Sequence, residues 1–238
     1  SLTPTIEGTG NYTGKATVEW KITPREVTPT IEVASCTYTG DALEPTVTVK
    51  DDIGNIIDQK EYEIFYSNNT NAGIATVTIK DVEGGNYVLS GASKTFEITK
   101  AAAPTMQPIE LTVINGLAKT YLVNLPALPT LGDNCKYGSI KYEACNFDLI
   151  GEGGYANSTA MITSNDEFQL TVPAVESQTE GSVGTVGVKI TTDNYQDMLL
   201  TVEVIAKNKI VPVLDGEITA TPITFCQTLR VSTITGTM

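Results

Sequence analysis

Apolar and polar residues alternate with a period of two along most of this chain, the pattern of a strand with one face in a core and the other in water. Val47, Val49 and their neighbours in 45–50 show it, as do Ile64 in 62–66, Ala75, Val77 and Ile79 in 75–80, and Phe96 and Ile98 in 94–98. A further strand is predicted over 27–33. Beyond residue 105 the same reading gives strands over 109–113, 120–125, 138–142, 168–172, 184–190 and 199–205. Turn-forming clusters separate them, among them Asp51-Asp52-Ile53-Gly54-Asn55 and Ser67-Asn68-Asn69-Thr70-Asn71-Ala72-Gly73. Long runs of Ala, Leu, Glu and Lys are missing while Thr, Val and Ile abound, so the expected class is all-β, and the short, regularly spaced strands suggest sandwiches.

A repeat runs through the pattern. Gly10-Asn11-Tyr12, followed by Thr17-Val18-Glu19-Trp20-Lys21-Ile22-Thr23, returns as Gly85-Asn86-Tyr87 and then Ser93-Lys94-Thr95-Phe96-Glu97-Ile98-Thr99. A looser copy is Asp193-Asn194-Tyr195 with Leu200-Thr201-Val202-Glu203-Val204. Each reads as the last hairpin of a module, its Asn supplying the left-handed turn. Residues 1–24 are then expected to be the tail of a preceding β repeat, 25–101 a complete β domain, 102–207 a second sandwich, and 208–238 the start of a further repeat. The small, Pro-ended stretch Lys100-Ala101-Ala102-Ala103-Pro104 marks the boundary between the two complete modules. The incomplete ends would either add to the complete modules or pair with a neighbouring chain.

Charge and composition narrow the chemistry. The 238 residues carry a net charge of −13, which repels phosphate backbones and argues against nucleic-acid binding. No apolar run approaches the roughly 20 residues that span a bilayer. Histidine is absent, which removes Ser-His-Asp and Cys-His nucleophilic systems, most catalytic zinc sites and the usual base near neutral pH. Cys36, Cys135, Cys145 and Cys226 form no C-x-x-C pair; Cys135 and Cys145 are placed either as a hairpin disulfide or as small buried hydrophobes.

Cys36-Thr37-Tyr38-Thr39-Gly40, Glu61-Tyr62-Glu63-Ile64, Tyr66-Ser67-Asn68-Asn69-Thr70-Asn71-Ala72-Gly73 and Gly85-Asn86-Tyr87 together resemble the Ig-like, MBG-type repeats of large secreted proteins from Gram-positive bacteria. The match covers residues 25–100 and recurs partially in 8–23. Ile223-Thr224-Phe225-Cys226-Gln227-Thr228-Leu229 resembles the opening of the YGX subtype, with Phe225 and Cys226 where Tyr and Gly are usual. The resemblance implies tandem Ig-like β-sandwich modules with partial modules at both ends, in an extracellular stalk, spacer or adhesin. The implied partners are neighbouring modules of the same parent chain and a host or matrix protein or glycan. It carries over no catalytic residue, metal or cofactor.

Candidate ligand contacts are Tyr12, Tyr87, Tyr195 and Trp20, weighed against burial of the tyrosine rings at strand corners and a core position for Trp20 equivalent to Phe96. An exposed Trp20 would stack on a sugar ring, the alternative being a carbohydrate-binding accessory module of a secreted polysaccharide-degrading enzyme. Glu61 with Glu63, and Asp51 with Asp52, are the visible carboxylate pairs for glycoside chemistry or calcium, and solvated surface charge is their ordinary explanation. Asn11, Asn68 and Asn157 fall in N-x-[ST] sequons. Lys50, Lys80 and Lys94 are available on strands for cross-links, with no Asn selected by spacing.

Overall fold

A computed structural model describes residues 3–89, 91–150, 154–176, 180–210, 215–220 and 234–237, the last two stretches as strand backbone. Its elements are almost all strands, as the alternation predicts, and they gather into two compact units. One holds residues 1–105, 128–141 and 190–198; the other holds 106–127, 142–189 and 199–238.

In the first unit, β1 (Thr5–Glu7) and β2 (Lys15–Thr17) form a hairpin, followed by β3 (Arg25–Glu26), β4 (Thr30–Val33), β5 (Cys36–Thr37) and β6 (Val47–Lys50). A 3-10 turn over Gln59–Glu61 leads into β7 (Tyr62–Ser67), and β8 (Gly73–Asp81), β9 (Tyr87–Val88) and β10 (Ser93–Thr99) complete the set. The main sheet has the order β5-β10-β8-β7, and β4 pairs with β6 in a second layer. Alternation decides which face is buried. Ala75, Val77 and Ile79 of β8 are wholly inaccessible, and Phe96 and Ile98 of β10 join them. Ile31, Val47 and Val49 close the same core from the β4–β6 layer, which makes this a sandwich.

The second unit repeats the arrangement. It contains β11 (Ile109–Ile114), β12 (Lys119–Asn124), most of β13 (Ile140–Leu149), β14 (Thr159–Ile162), β15 (Glu167–Val172), most of β16 (Gly181–Thr192) and most of β17 (Met198–Lys207), with β18 (Asp215–Ala220) and β19 (Ile234–Thr237) as a separate antiparallel pair. Its sheets have the orders β11-β17-β16-β13 and β12-β15-β14. Leu200, Val202, Val204 and Ala206 of β17 are fully buried, as are Val186 and Val188 of β16 and Phe168 and Leu170 of β15.

The two main sheets share one topology. In the first, β7, β8 and β10 run antiparallel in chain order, and in each an early strand lies parallel to the last: β5 on β10, and β11 on β17 over six residue pairs from Ile109↔Val202 to Ile114↔Lys207. The chain is therefore all-β, with Ig-like sandwich modules in tandem. The motif at 223–229, Cys226 included, lies outside the described residues.

Candidate functional site

Two of the three repeated Asn-Tyr corners, at Asn86 and Asn194, are bracing points, and the Asn works differently from the turn-former expected. Asn11, Asn86 and Asn194 are absent from the described non-glycine residues with positive φ; the neighbouring Gly10 and Gly84 take that conformation at φ 74° and 76°. Asn86 instead donates from its backbone N–H (2.8 Å) and from Nδ2 (2.9 Å) to the two carboxylate oxygens of Glu61. Asn194 is 1% exposed; its Oδ1 accepts from Ala72 N at 2.9 Å, and its Nδ2 donates to Asn71 Oδ1 and Lys136 O. The N-N-x-N-A-G and G-N-Y motifs are thus hydrogen-bond partners of other motif segments.

The four candidate contacts are not gathered in one place. Tyr195 is buried, its ring centroid 5.6 Å from Tyr38 and 5.3 Å from Tyr137. Burial, then the neighbouring Cys135 thiol and the two tyrosines, pushes its phenol up to about 12. Tyr87 is half-buried on β9, while Tyr12 is 80% exposed. The hydroxyl-to-carbonyl bond of a tyrosine corner is made by Tyr38, Tyr66 and Tyr137, on Lys136, Pro45 and Pro129. Trp20 corrects the core placement: it is 60% exposed where Phe96 is 5%. Phe96 lies on a strand flanked by β5 and β8, whereas the Trp20 segment follows a two-stranded ribbon, too narrow to cover an indole.

The carboxylate pairs also differ from expectation. Glu61 ends the 3-10 turn and is buried, while Glu63 is exposed on β7, so the two share no face. Hydrogen bonds from the Asn86 backbone and side chain hold the Glu61 carboxyl below the ordinary range, against its desolvation. Asp51 is buried and Asp52 exposed. Burial favours protonation of Asp51, but hydrogen bonds from Asn55 N, Ile53 N and Asn55 Nδ2, and then the Arg25 charge, outweigh it and keep its carboxyl low. Arg25 also pairs with Asp52. Asp51 is committed to its own turn and Glu61 to the Asn86 corner, and solvated surface charge describes only their neighbours. Among the described residues no three His, Cys, Asp or Glu side chains converge as a metal would require. Cys36, Cys135 and Cys145 are free thiols.

A groove that sequence reasoning missed opens between β6 and β7, about 700 Å³ in volume and lined by Glu44, Pro45, Val47, Gln59, Ile64 and Tyr66, with Phe65 50% exposed beside it. Tyr66 Oη donates to Pro45 O at 2.6 Å across it, and Asn69 Nδ2 donates to Leu43 O nearby. Glu44 is the one carboxylate among its lining residues, and Gln59 the one side-chain amide there besides Asn69. No signal in the alternation marks such a groove, because it arises where the edges of two layers meet.

No family model matches the chain, and no curated protein matches it. Solved structures similar to it include an I-band fragment of titin (10% identity, 75% of this chain, TM-score 0.34), of whose length the chain covers 65%. Others are the tandem Ig repeats of Dlar (10% identity, 77% of this chain and 100% of that one, TM-score 0.25) and three N-terminal domains of the bacteriophage RB49 highly immunogenic outer capsid protein (15% identity, 79% and 71%, TM-score 0.31). Among the described residues no helix is long and apolar enough to cross a membrane.

Proposed function

We propose that this chain is a non-catalytic extracellular module of a bacterial surface protein, serving as a load-bearing stalk or spacer or as an adhesion unit. In this reading residues 25–101 and 102–207 are serial Ig-like modules, and 1–24 and 208–238 belong to flanking repeats. The carrying observation is the parallel pairing of an early strand with the last strand in each main sheet. Tension that draws the ends of such a sheet apart loads those hydrogen bonds in shear, so the whole ladder resists together instead of opening one rung at a time. Its buried carboxylates also favour a structural role, since Asp51 and Glu61 are used as turn acceptors. The single carboxylate of the β6–β7 groove falls short of the two that glycoside hydrolysis needs. Pulling the chain by its termini in a force spectrometer is expected to give discrete unfolding peaks. A smooth extension without peaks would remove the load-bearing role.

The second reading, a carbohydrate-binding accessory module, is favoured by the exposure of Trp20 and Tyr12 on one short segment. A glycan array decides it: a reproducible hit lost in Trp20→Ala supports sugar stacking, and a blank array, or a hit unchanged in that variant, rejects it.

A further inference from the structure

We propose that residues 19–23 of one copy of this chain, which follow the β1–β2 ribbon, add as a short strand to the β7 edge of a second copy, laying Trp20 and Ile22 into the β6–β7 groove. The donor side rests on the internal repeat. Trp20 and Ile22 occupy the positions of Phe96 and Ile98, which are 5% and 1% exposed on β10, yet they are 60% and 79% exposed themselves. The equivalent stretch of β10 already forms an antiparallel ladder with β8, from Ser93↔Thr78 to Ile98↔Gly73, so this sequence pattern is suited to adding to a sheet. In its own chain the segment is tethered close by: Arg25 N is fixed on Asn86 O and the Arg25 guanidinium on Asp51.

The acceptor side is β7, the last strand in the order β5-β10-β8-β7, whose outer edge presents six residues of backbone, about 20 Å. Ile64 and Tyr66 of β7 line the groove, and Val47 and Pro45 line it from the opposite layer. A strand added to β7 directs alternate side chains toward that groove, which Trp20 and Ile22 satisfy as an i, i+2 pair. Lys21, between them, would then lie on the outer face with Glu63 and the exposed ring of Phe65. There it would extend the Glu63↔Lys80 cross-strand pair into an alternating row of charge. Charge selects the segment as well: Glu7 and Glu19 balance Lys15 and Lys21 over residues 3–24, so this stretch approaches another copy of a −13 chain without net repulsion.

Trp20 is the only tryptophan, so its fluorescence reports docking directly. Sedimentation equilibrium of the full chain over a concentration series is expected to show a mass rising above the monomer, with Trp20 emission shifting to shorter wavelength in step. Ile22→Asp, at a side chain exposed in the single copy, and Phe65→Lys, beside the groove and opposed to Lys21, should each weaken association about thirtyfold. A monomer at every concentration with solvent-exposed emission overturns the proposal, and so does an association that both substitutions leave unchanged.

Discussion

Asn194 illustrates how much of this fold rests on single amides. Buried at 1% exposure, its side chain accepts from Ala72 N and donates to Asn71 and to Lys136 O, joining three loop segments distant in sequence. Removing it strands a buried N–H and a carbonyl where water reaches poorly, which costs about 1–3 kcal/mol. Asn194→Ala should therefore lower the urea-unfolding free energy of the first unit by that amount, whereas Asn11→Ala, in an exposed turn, should leave it unchanged within about 0.5 kcal/mol. The sequence repeat pointed to these asparagines correctly as structural marks, but their mechanism lay outside its reach. A spacing shows that Asn86 recurs before Tyr87; only three dimensions show that its partner is Glu61, 25 positions earlier. Trp20 is the converse case. Its likeness to Phe96 predicts an inward-facing side chain, and burial depends on neighbours that a pattern of one segment does not contain.

At the scale of elements, alternation located the long strands well because a buried face must repeat every second residue: 75–80 is realised as Gly73–Asp81, 94–98 as Ser93–Thr99 and 199–205 as Met198–Lys207. It missed Thr159–Ile162, and also Cys36–Thr37 and Tyr87–Val88, which at two residues each are too short to display a period. The β6–β7 groove was illegible for a related reason, since it belongs to two strands at once. Long strands also carry local constraints that alternation ignores. Gly184 of β16 has φ 120°, and a Cβ there would lie 2.0 Å from Asp148 O and 2.8 Å from Leu149 Cα on β13. Backbone cannot rotate aside as a flexible side chain does, so Gly184→Ala must push β13 away or distort β16. The expected loss is at least about 2 kcal/mol, combining an unfavourable left-handed conformation with overpacking. Hydrogen exchange should quicken along β13 and β16 while β8 and β10 keep their protection; equal loss in both sets would contradict a constraint local to the second unit.

Across the whole molecule, two sets of ionisable groups set opposite limits on stability. Asp51, Asp58, Glu61 and Asp193 are held below the ordinary carboxylate range: burial opposes the shift most strongly at Asp51, and backbone hydrogen bonds from Lys60, Asn86 and Ser139 lead it at the other three. Because the folded chain binds their protons less readily than the unfolded chain, their contribution is fully present above about pH 4 to 4.5 and is lost as pH falls through the lowered values. Tyr62, Tyr66, Tyr137, Tyr142, Tyr155 and Tyr195 act in the other direction, each raised first by burial. Folding favours their neutral form, so that contribution is complete below about pH 10 and disappears as pH climbs, for Tyr195 toward about 12. With no histidine to titrate between these limits, the midpoint of urea unfolding should stay nearly level from about pH 5.5 to 9 and fall on both sides. The alkaline limb carries its own marker, since ionised tyrosine absorbs near 295 nm by its chemistry. Tyrosinate absorbance from the buried Tyr195 should appear only as the fold opens. Ionisation of Tyr195 near pH 10 with the sandwich still intact would show that its phenol is not buried as described.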